Sequence, residues 1–240
     1  PGKVYVYSDI SFVTMGYIVG QIVYRNRLAT PTRPQCANVS VLTAPGLTYT
    51  CYFEAFVSNL LQNRLGMKHT GYLPDKALWP QLPPTRNDTW YRHAVSQGVV
   101  DDENAYAMGG IAGHAGLFST VQDIRRLLDV WLFGRDDALL NATTRLLWTS
   151  EYDHAISCRA LGWSTNDLTT PDGGWDGTCG TLSNRTFLHL GYTGTQICAD
   201  PERKVYTLLL TNRVYPTGDN IKIQAFRKYW NDAIVEILDK

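Results

Sequence analysis

Three runs near the C-terminal end constrain the fold more than anything else in the chain. "FLHLGY", "TQICAD" and "VYTLLLTN" fall between residues 187 and 212, and the last two are joined by a tight turn at Asp200-Pro-Glu-Arg203. Short β-branched and aromatic runs separated by turns pair as consecutive antiparallel strands, because a parallel return needs a long crossover. The sequence before them is helical in period. Ile10 to about Tyr24 reads as an apolar helix started by Asp9, with Gly16 and Gly20 on a close-packing face. Phe53, Phe56, Val57, Leu60 and Leu61 recur at helical spacing up to Gly66. Thr120 and Asp123 form a variant capping box for a helix whose buried stripe is Ile124, Leu127, Leu128, Trp131 and Leu132, ending at Gly134. A terminal helix from Asn220 to about Leu238 is expected to bury Ile221, Ala225, Tyr229, Ala233, Ile234 and Ile237. Helices first, then adjacent strands and a last helix, make the fold class α+β rather than a βαβ array. Residues 1–150 are expected to form a helical lobe and 155–240 the sheet with its terminal helix. Residues 25–50, with Pro31, Pro34, Pro45 and Gly46, read as a surface insertion.

The 22 basic and 22 acidic residues cancel, so no basic patch points to nucleic acid. No apolar run reaches the roughly 20 residues that span a bilayer. No metal-ligand spacing and no cofactor motif is present, and none is expected. Asn38, Asn87, Asn141 and Asn184 each begin an Asn-x-Ser/Thr acceptor pattern. Of the five Cys, Cys36 and Cys51 bracket the Pro-rich segment, and a bridge there would staple it. Cys158 and Cys179 are a second candidate pair, leaving Cys198 over; five reduced thiols are the other reading. Together these features suggest a secreted or lumenal protein.

Three stretches could carry chemistry. "PGKVYVYSD" places Tyr7 and Asp9 at the edge of the first helix, where a phenol can relay protons. "DDENAYAMGGIAGHAGLFST" surrounds His114 with glycines and alanines that let backbone approach closely. "HLGYTGTQICADPERKVYTLLLTNR" puts His189 on a strand whose Gly191 and Gly194 leave one edge bare for an extended substrate. Taken singly, a packed tyrosine, a structural turn and a structural histidine explain each equally simply.

In order and together, the three resemble the serine β-lactamase/penicillin-binding-protein family, nearest its class C-like branch of esterases, D-aminopeptidases and cell-wall peptidases. That family carries Ser-x-x-Lys, then Tyr-x-Asn, then Lys-Thr-Gly or His-Thr-Gly on a sheet edge. "PGKVYVYSD" resembles the second motif and "HLGYTGT" the third; "LQNRLGMKHTGYLP" and "AGHAGLFSTVQDIRRLL" resemble the sequence between them. No Ser-x-x-Lys occurs here. The resemblance therefore implies that this is the C-terminal part of a β-lactamase/transpeptidase-like domain. Its partner would be an upstream segment carrying the nucleophile, and strands from that segment would complete the sheet.

By position, the resemblance makes Tyr7 the proton relay and His189 the counterpart of the family's Lys. It makes the Tyr192 N–H half of an oxyanion hole. Asp9 stands where an Asn usually holds substrate, and a carboxylate cannot donate as an amide does. Gly191 would contact substrate, His114 would form a wall, and Tyr7 and His189 would share one cleft. Leu190 replaces a Thr that contacts a substrate carboxylate, which counts against a β-lactam or D-Ala-D-Ala substrate. The implied function is a serine hydrolase cleaving an ester or amide of a small or peptide-like substrate through an acyl-enzyme. The alternative is an inactive relative serving as a structural or assembly subunit.

An exported protein should carry glycan on at least one of the four acceptor asparagines. Enzymatic deglycosylation should lower the intact mass of protein from its native source, and an unchanged mass would remove the exported reading.

Overall fold

The computed structural model describes residues 2–37, 40–171 and 177–240. The chain divides into two compact units, one of residues 7–126 and one of residues 1–6 with 127–240. The division falls inside a helix, Val121–Phe133, rather than near residue 150. Its second half belongs with the sheet because Trp131 packs on Trp148 and Trp163.

In the unit of residues 7–126, helix α1 spans Asp9–Asn26. Asp9 supplies a negative charge to its first turn, but Ser8 is the N-cap residue, and its side chain makes no capping bond. Arg27, in the left-handed region at φ 52°, closes the helix by donating its N–H to the carbonyls of the last turn. Gly16 and Gly20 are buried as expected. A Cβ at Gly20 would run into the Tyr49 carbonyl, and one at Gly16 would crowd the Gly113 backbone. On other faces Ile10, Met15, Ile18 and Ile22 remain exposed.

Helix α2 spans Pro45–Ser58 and continues as a π-helical turn, Asn59–Arg64, before Gly66 reverses the chain at φ 69°. It begins well before Phe53, so residues 45–50 are helix rather than surface insertion. Pro45 suits the first turn, where no N–H partner is needed. Tyr49 is buried and meets Tyr17 edge-on at 5.0 Å. The Pro-rich segment is also anchored inward: Cys36 is bridged to Cys51, and Arg33 pairs with the buried Glu54 at 2.9 Å.

Strand β1, Gly71–Tyr72, pairs antiparallel with β4, Leu117–Phe118. Between them lie the hairpin of β2, Arg86–Asp88, with β3, Ala94–Ser96, and the short helix α3, Glu103–Ala107, capped by Asp102. Arg86 fastens the hairpin through two bonds to Asp101, of 2.8 and 2.7 Å. Helix α4, Val121–Phe133, receives half the expected capping box, since Asp123 N–H donates to Thr120 Oγ1 at 3.3 Å. The Asp123 carboxylate does not turn back on the helix. It accepts instead from His69 N–H and the Thr70 hydroxyl, at 2.7 and 2.9 Å.

In the other unit, Asn141 caps α5, Ala142–Thr149. Strands β5, Ser164–Thr165, β6, Phe187–Leu190, β7, Gln196–Asp200, and β8, Val205–Leu209, form one antiparallel sheet in that order. The three predicted strands are thus adjacent, with Leu188 opposite Cys198 and Cys198 opposite Thr207. β5 covers part of the edge expected to be bare, but only opposite Phe187 and Leu188. Leu188, Cys198, Cys179, Leu182 and Val235 form the buried cluster beneath the sheet.

Helix α6 spans Ile223–Leu238 and packs with a face other than the expected one. Its buried residues are Arg227, Asn231 and Val235, whereas Ile221, Tyr229 and Ile237 are exposed. Buried amides and a guanidinium are tolerated there because they bond to the sheet and its turns. Among the described residues no helix is long and apolar enough to cross a membrane.

The second bridge joins Cys179 to Cys198, not Cys158 to Cys179. Cys198 points from β7 into the same buried cluster as Cys179, at a Cα separation of 6.0 Å. Cys158 is buried outside both bridges. Peptide mapping without reduction should therefore recover the 36–51 and 179–198 pairs, with Cys158 alkylated only after unfolding. Replacing Cys36 and Cys51 together by Ser should lower stability by about 3 kcal/mol in denaturant titration, the loop-closure value for a loop of this size.

Candidate functional site

The β6–β7 connection is built as a short hairpin. Gly191 N–H donates to the Thr195 carbonyl at 2.9 Å, and Gly194 N–H donates to the Gly191 carbonyl at 3.0 Å. Gly194 sits at φ 113°, and a Cβ there would meet the Thr211 hydroxyl, so both the turn and its packing call for glycine. Residues 191–194 thus close a four-residue turn with Tyr192 at its second position.

His189 lies at the end of β6 with its ring edge-on to Trp163 at 6.5 Å. Trp163 is itself fixed by Phe187 and Trp131, at 5.0 and 5.5 Å. His189 Nδ1 lies 3.1 Å from the Leu190 carbonyl. A carbonyl only accepts, so Nδ1 carries the proton of the neutral ring and Nε2 holds the lone pair. The side chain keeps solvent exposure, yet the protein packed around the ring withdraws water from the charged form. That desolvation holds the pKa below the ordinary histidine value, and the nearby Arg159 cation adds to it against the opposing Leu190 bond.

Two arginines that sequence reasoning passed over grip this turn. Arg227 of α6, 7% exposed, donates from Nη2 to the carbonyls of Gly191 and Thr195 at 2.8 and 2.7 Å. Arg213 lies over the Tyr192 ring at 4.1 Å and donates from Nε to the Tyr192 carbonyl at 2.7 Å. No motif announces either one, because any suitably placed guanidinium can hold a carbonyl.

In the unit of residues 7–126 the Tyr7 hydroxyl donates to Asp9 Oδ1 at 2.9 Å. Asp9 does not stand alone: it, Asp102 and His114 each bring a ligating atom within 4.8 Å of the others. His114 Nε2 bonds Asp102 Oδ1 at 2.9 Å, and its side chain is only 5% exposed. Partial burial would raise the Asp102 carboxyl, but the Ala105 N–H and His114 outweigh it and hold the group below the usual carboxylate range. His114, expected only as a wall, is joined to the Asp9 neighbourhood through Asp102. The pairing was hidden in sequence because helix capping already explains Asp102. An open apolar groove of about 510 Å³ runs between Val13, Gly16, Leu47, Phe53 and Met108, and none of the expected site residues lines it.

A second histidine cluster also escaped the sequence reading. His154 bonds Glu151 at 2.8 Å, with Asp167 3.8 Å away. The Glu151 bond, foremost, and the surrounding carboxylates raise its pKa above the ordinary value. Of the glycan acceptors, Asn87, Asn141 and Asn184 are exposed, and Asn38 lies outside the described residues.

The family model described as Beta-lactamase matches residues 1–228. A protein of Escherichia coli strain K12 with the provisional name D-alanyl-D-alanine carboxypeptidase is 30% identical over 226 residues. That match covers 91% of this chain and 48% of the relative. A protein of Salmonella agona with the same provisional name is 29% identical, covering 93% and 48%. The chain thus spans about half the length of the curated relatives it matches. Among solved structures, a beta-lactamase from Mycobacterium bovis superposes with a TM-score of 0.52 at 15% identity, covering 94% of this chain and 85% of that one. A mutant simvastatin synthase of Aspergillus terreus gives 0.53 at 15% identity, covering 81% and 55%. Both structures share the fold. A family model matched along nearly the whole length, the strand order and the "HLGYTGT" turn lead to one conclusion: the chain belongs to the beta-lactamase family.

Proposed function

We propose that this chain is the C-terminal portion of a serine hydrolase that cleaves an ester or amide through an acyl-enzyme, its nucleophile lying on an upstream segment. The observation that carries the reading is the β6–β7 hairpin, where a neutral histidine with an available Nε2 precedes a clamped glycine-rich turn. In this reading Tyr7 and His189 keep the roles that the family resemblance gives them. Tyr7 relays the proton between nucleophile and leaving group, His189 assists as a base, and the Tyr192 N–H receives the developing oxyanion. Asp9 directs the Tyr7 proton and orients substrate as an acceptor only. Gly191, where a Cβ would run into the Thr195 hydroxyl, contacts substrate through its backbone alone.

The carboxypeptidase names of the relatives suggest a peptide-like amide as the substrate class. Leu190 argues against recognition of a terminal carboxylate by the usual threonine, so an ester or a blocked amide is the better fit. The glycan acceptors and two bridges favour an exported protein. The second reading, a non-catalytic relative used as an assembly surface, draws support from Asp9 and Leu190 together.

The two separate by experiment on the protein with its upstream sequence. A fluorophosphonate or penicillin probe should label a serine of an upstream Ser-x-x-Lys, and Tyr7→Phe or His189→Gln should slow labelling by about 10²- to 10⁴-fold. No such motif and no labelling would leave the assembly reading.

His189 also gives a test that needs no substrate. Its pKa is lowered in the folded state, so the unfolded chain binds more protons as pH falls through about 6.5. The neutral ring therefore supports stability fully above that pH, and the support is lost as pH falls toward the folded pKa. NMR titration should place His189 below 6.5 and His154 above it. The opposite order would remove the neutral-base role.

A further inference from the structure

Arg227 is a buried cation without a matching anion. Among the described residues no carboxylate lies within ion-pair distance of it, and its Nε is buried with no partner. Burial, and then the neighbouring Arg213 cation, hold its pKa below the ordinary arginine value. Taking a guanidinium out of water to meet only carbonyls is costly unless the result is used. A neutral amide could tie a helix to a turn at lower cost, as Asn231 does nearby.

What Arg227 touches gives the reason. A peptide unit joins the carbonyl of one residue to the N–H of the next, so the Gly191 carbonyl and the Tyr192 N–H are two ends of one dipole. A positive charge 2.8 Å from the carbonyl oxygen draws electron density toward that end. The N–H at the other end becomes a stronger donor, as in any hydrogen-bonded chain within a medium of low dielectric. The Gly191 carbonyl also accepts from Gly194 N–H, so the turn has its own closure without the arginine. Arg227 is therefore more than a latch. Arg213 acts on the adjoining peptide through the Tyr192 carbonyl, at 2.7 Å, and covers the ring that the turn displays.

We propose that Arg227 is a positioning residue that orients and polarises the Gly191–Tyr192 peptide group, strengthening the Tyr192 N–H as an oxyanion donor. The proposal rests on the hydrolase reading for its purpose, though not for its physical content. The ligand class that benefits is any acyl group whose carbonyl oxygen gains negative charge during attack. Removing an oxyanion donor outright lowers turnover by roughly 10²- to 10³-fold, so weakening one should lower it by about tenfold.

The test uses the protein with its upstream sequence, Arg227→Met and Arg227→Lys variants, and two readouts. Arg227→Met should lower kcat about tenfold with KM within about twofold of the parent, and Arg227→Lys should recover part of the loss. In ¹⁵N-labelled protein the Tyr192 amide resonance should move upfield in Arg227→Met and return partway in Arg227→Lys, while melting curves report the fold. A folded variant whose Tyr192 amide does not move overturns the proposal, whether or not turnover falls. So does a moved amide with unchanged turnover. If Arg227→Met does not fold, the same criteria apply to Arg227→Lys, whose ammonium reaches a carbonyl as a single point charge. If the parent protein hydrolyses no ester or amide, that failure falls on the hydrolase reading, and the amide shift alone decides whether Arg227 polarises the peptide.

Discussion

The polar underside of α6 holds β7, β8 and the β6–β7 hairpin in place. Asn231 accepts from the Thr207 hydroxyl and donates to Gln196 Oε1, while Gln196 Nε2 donates to the Thr178 carbonyl at 2.9 Å. These groups are sealed from water, so each bond must be made; one buried donor or acceptor left unmet would cost about 1–3 kcal/mol. Two strands, β7 and β8, and the loop before β6 are thereby indexed to one helix. One helical turn earlier, Arg227 reaches the β6–β7 hairpin. The hairpin's placement is thus inherited from α6 docking rather than from its own four residues.

How far this could be read from sequence depends on the kind of signal. Strands β6, β7 and β8 were legible because alternation and a tight turn leave only one pairing order, whereas the two- and three-residue strands β1 to β5 are too short to show alternation. Helix α1 was legible with its packing face, because Gly16 and Gly20 at one helical spacing have no better use. Helix α6 was located but turned the wrong way. Reading apolar residues as the buried face assigned Ile221, Tyr229 and Ile237 to a core they do not enter, and passed over the Arg227–Asn231–Val235 line that is buried instead. A face that buries hydrogen-bonded polar groups has the hydropathy of an exposed one. The Cys36–Cys51 bridge is as expected, but the Cys158–Cys179 pairing failed for a related reason: order along the chain does not say which strand residue points at which loop residue.

The site divides in the same way. Tyr7, Asp9, His189 and the glycine-rich turn stood out because chemistry of their type needs those residue types at those spacings. Arg213, Arg227 and the link from Asp102 to His114 did not, because they act on carbonyls or on each other over long sequence separations. His189 illustrates the boundary between the two. Its identity was visible, but the neutral form follows from desolvation of the ring and from the nearby Arg159 cation, which together outweigh the Leu190 carbonyl.

The Asn231–Gln196 pair has a consequence for how such a chain can change over generations. Losing one member strands the other in a dry interior, whereas a paired exchange that keeps the bond between the two positions and those to Thr207 and Thr178 leaves no group unmet. Single replacements at either position should therefore be purged, and paired ones retained. Positions 196 and 231, 35 residues apart, are bound to drift as a couple. Between them they make the far end of the chain a unit of inheritance, in which strand and helix can only be revised together.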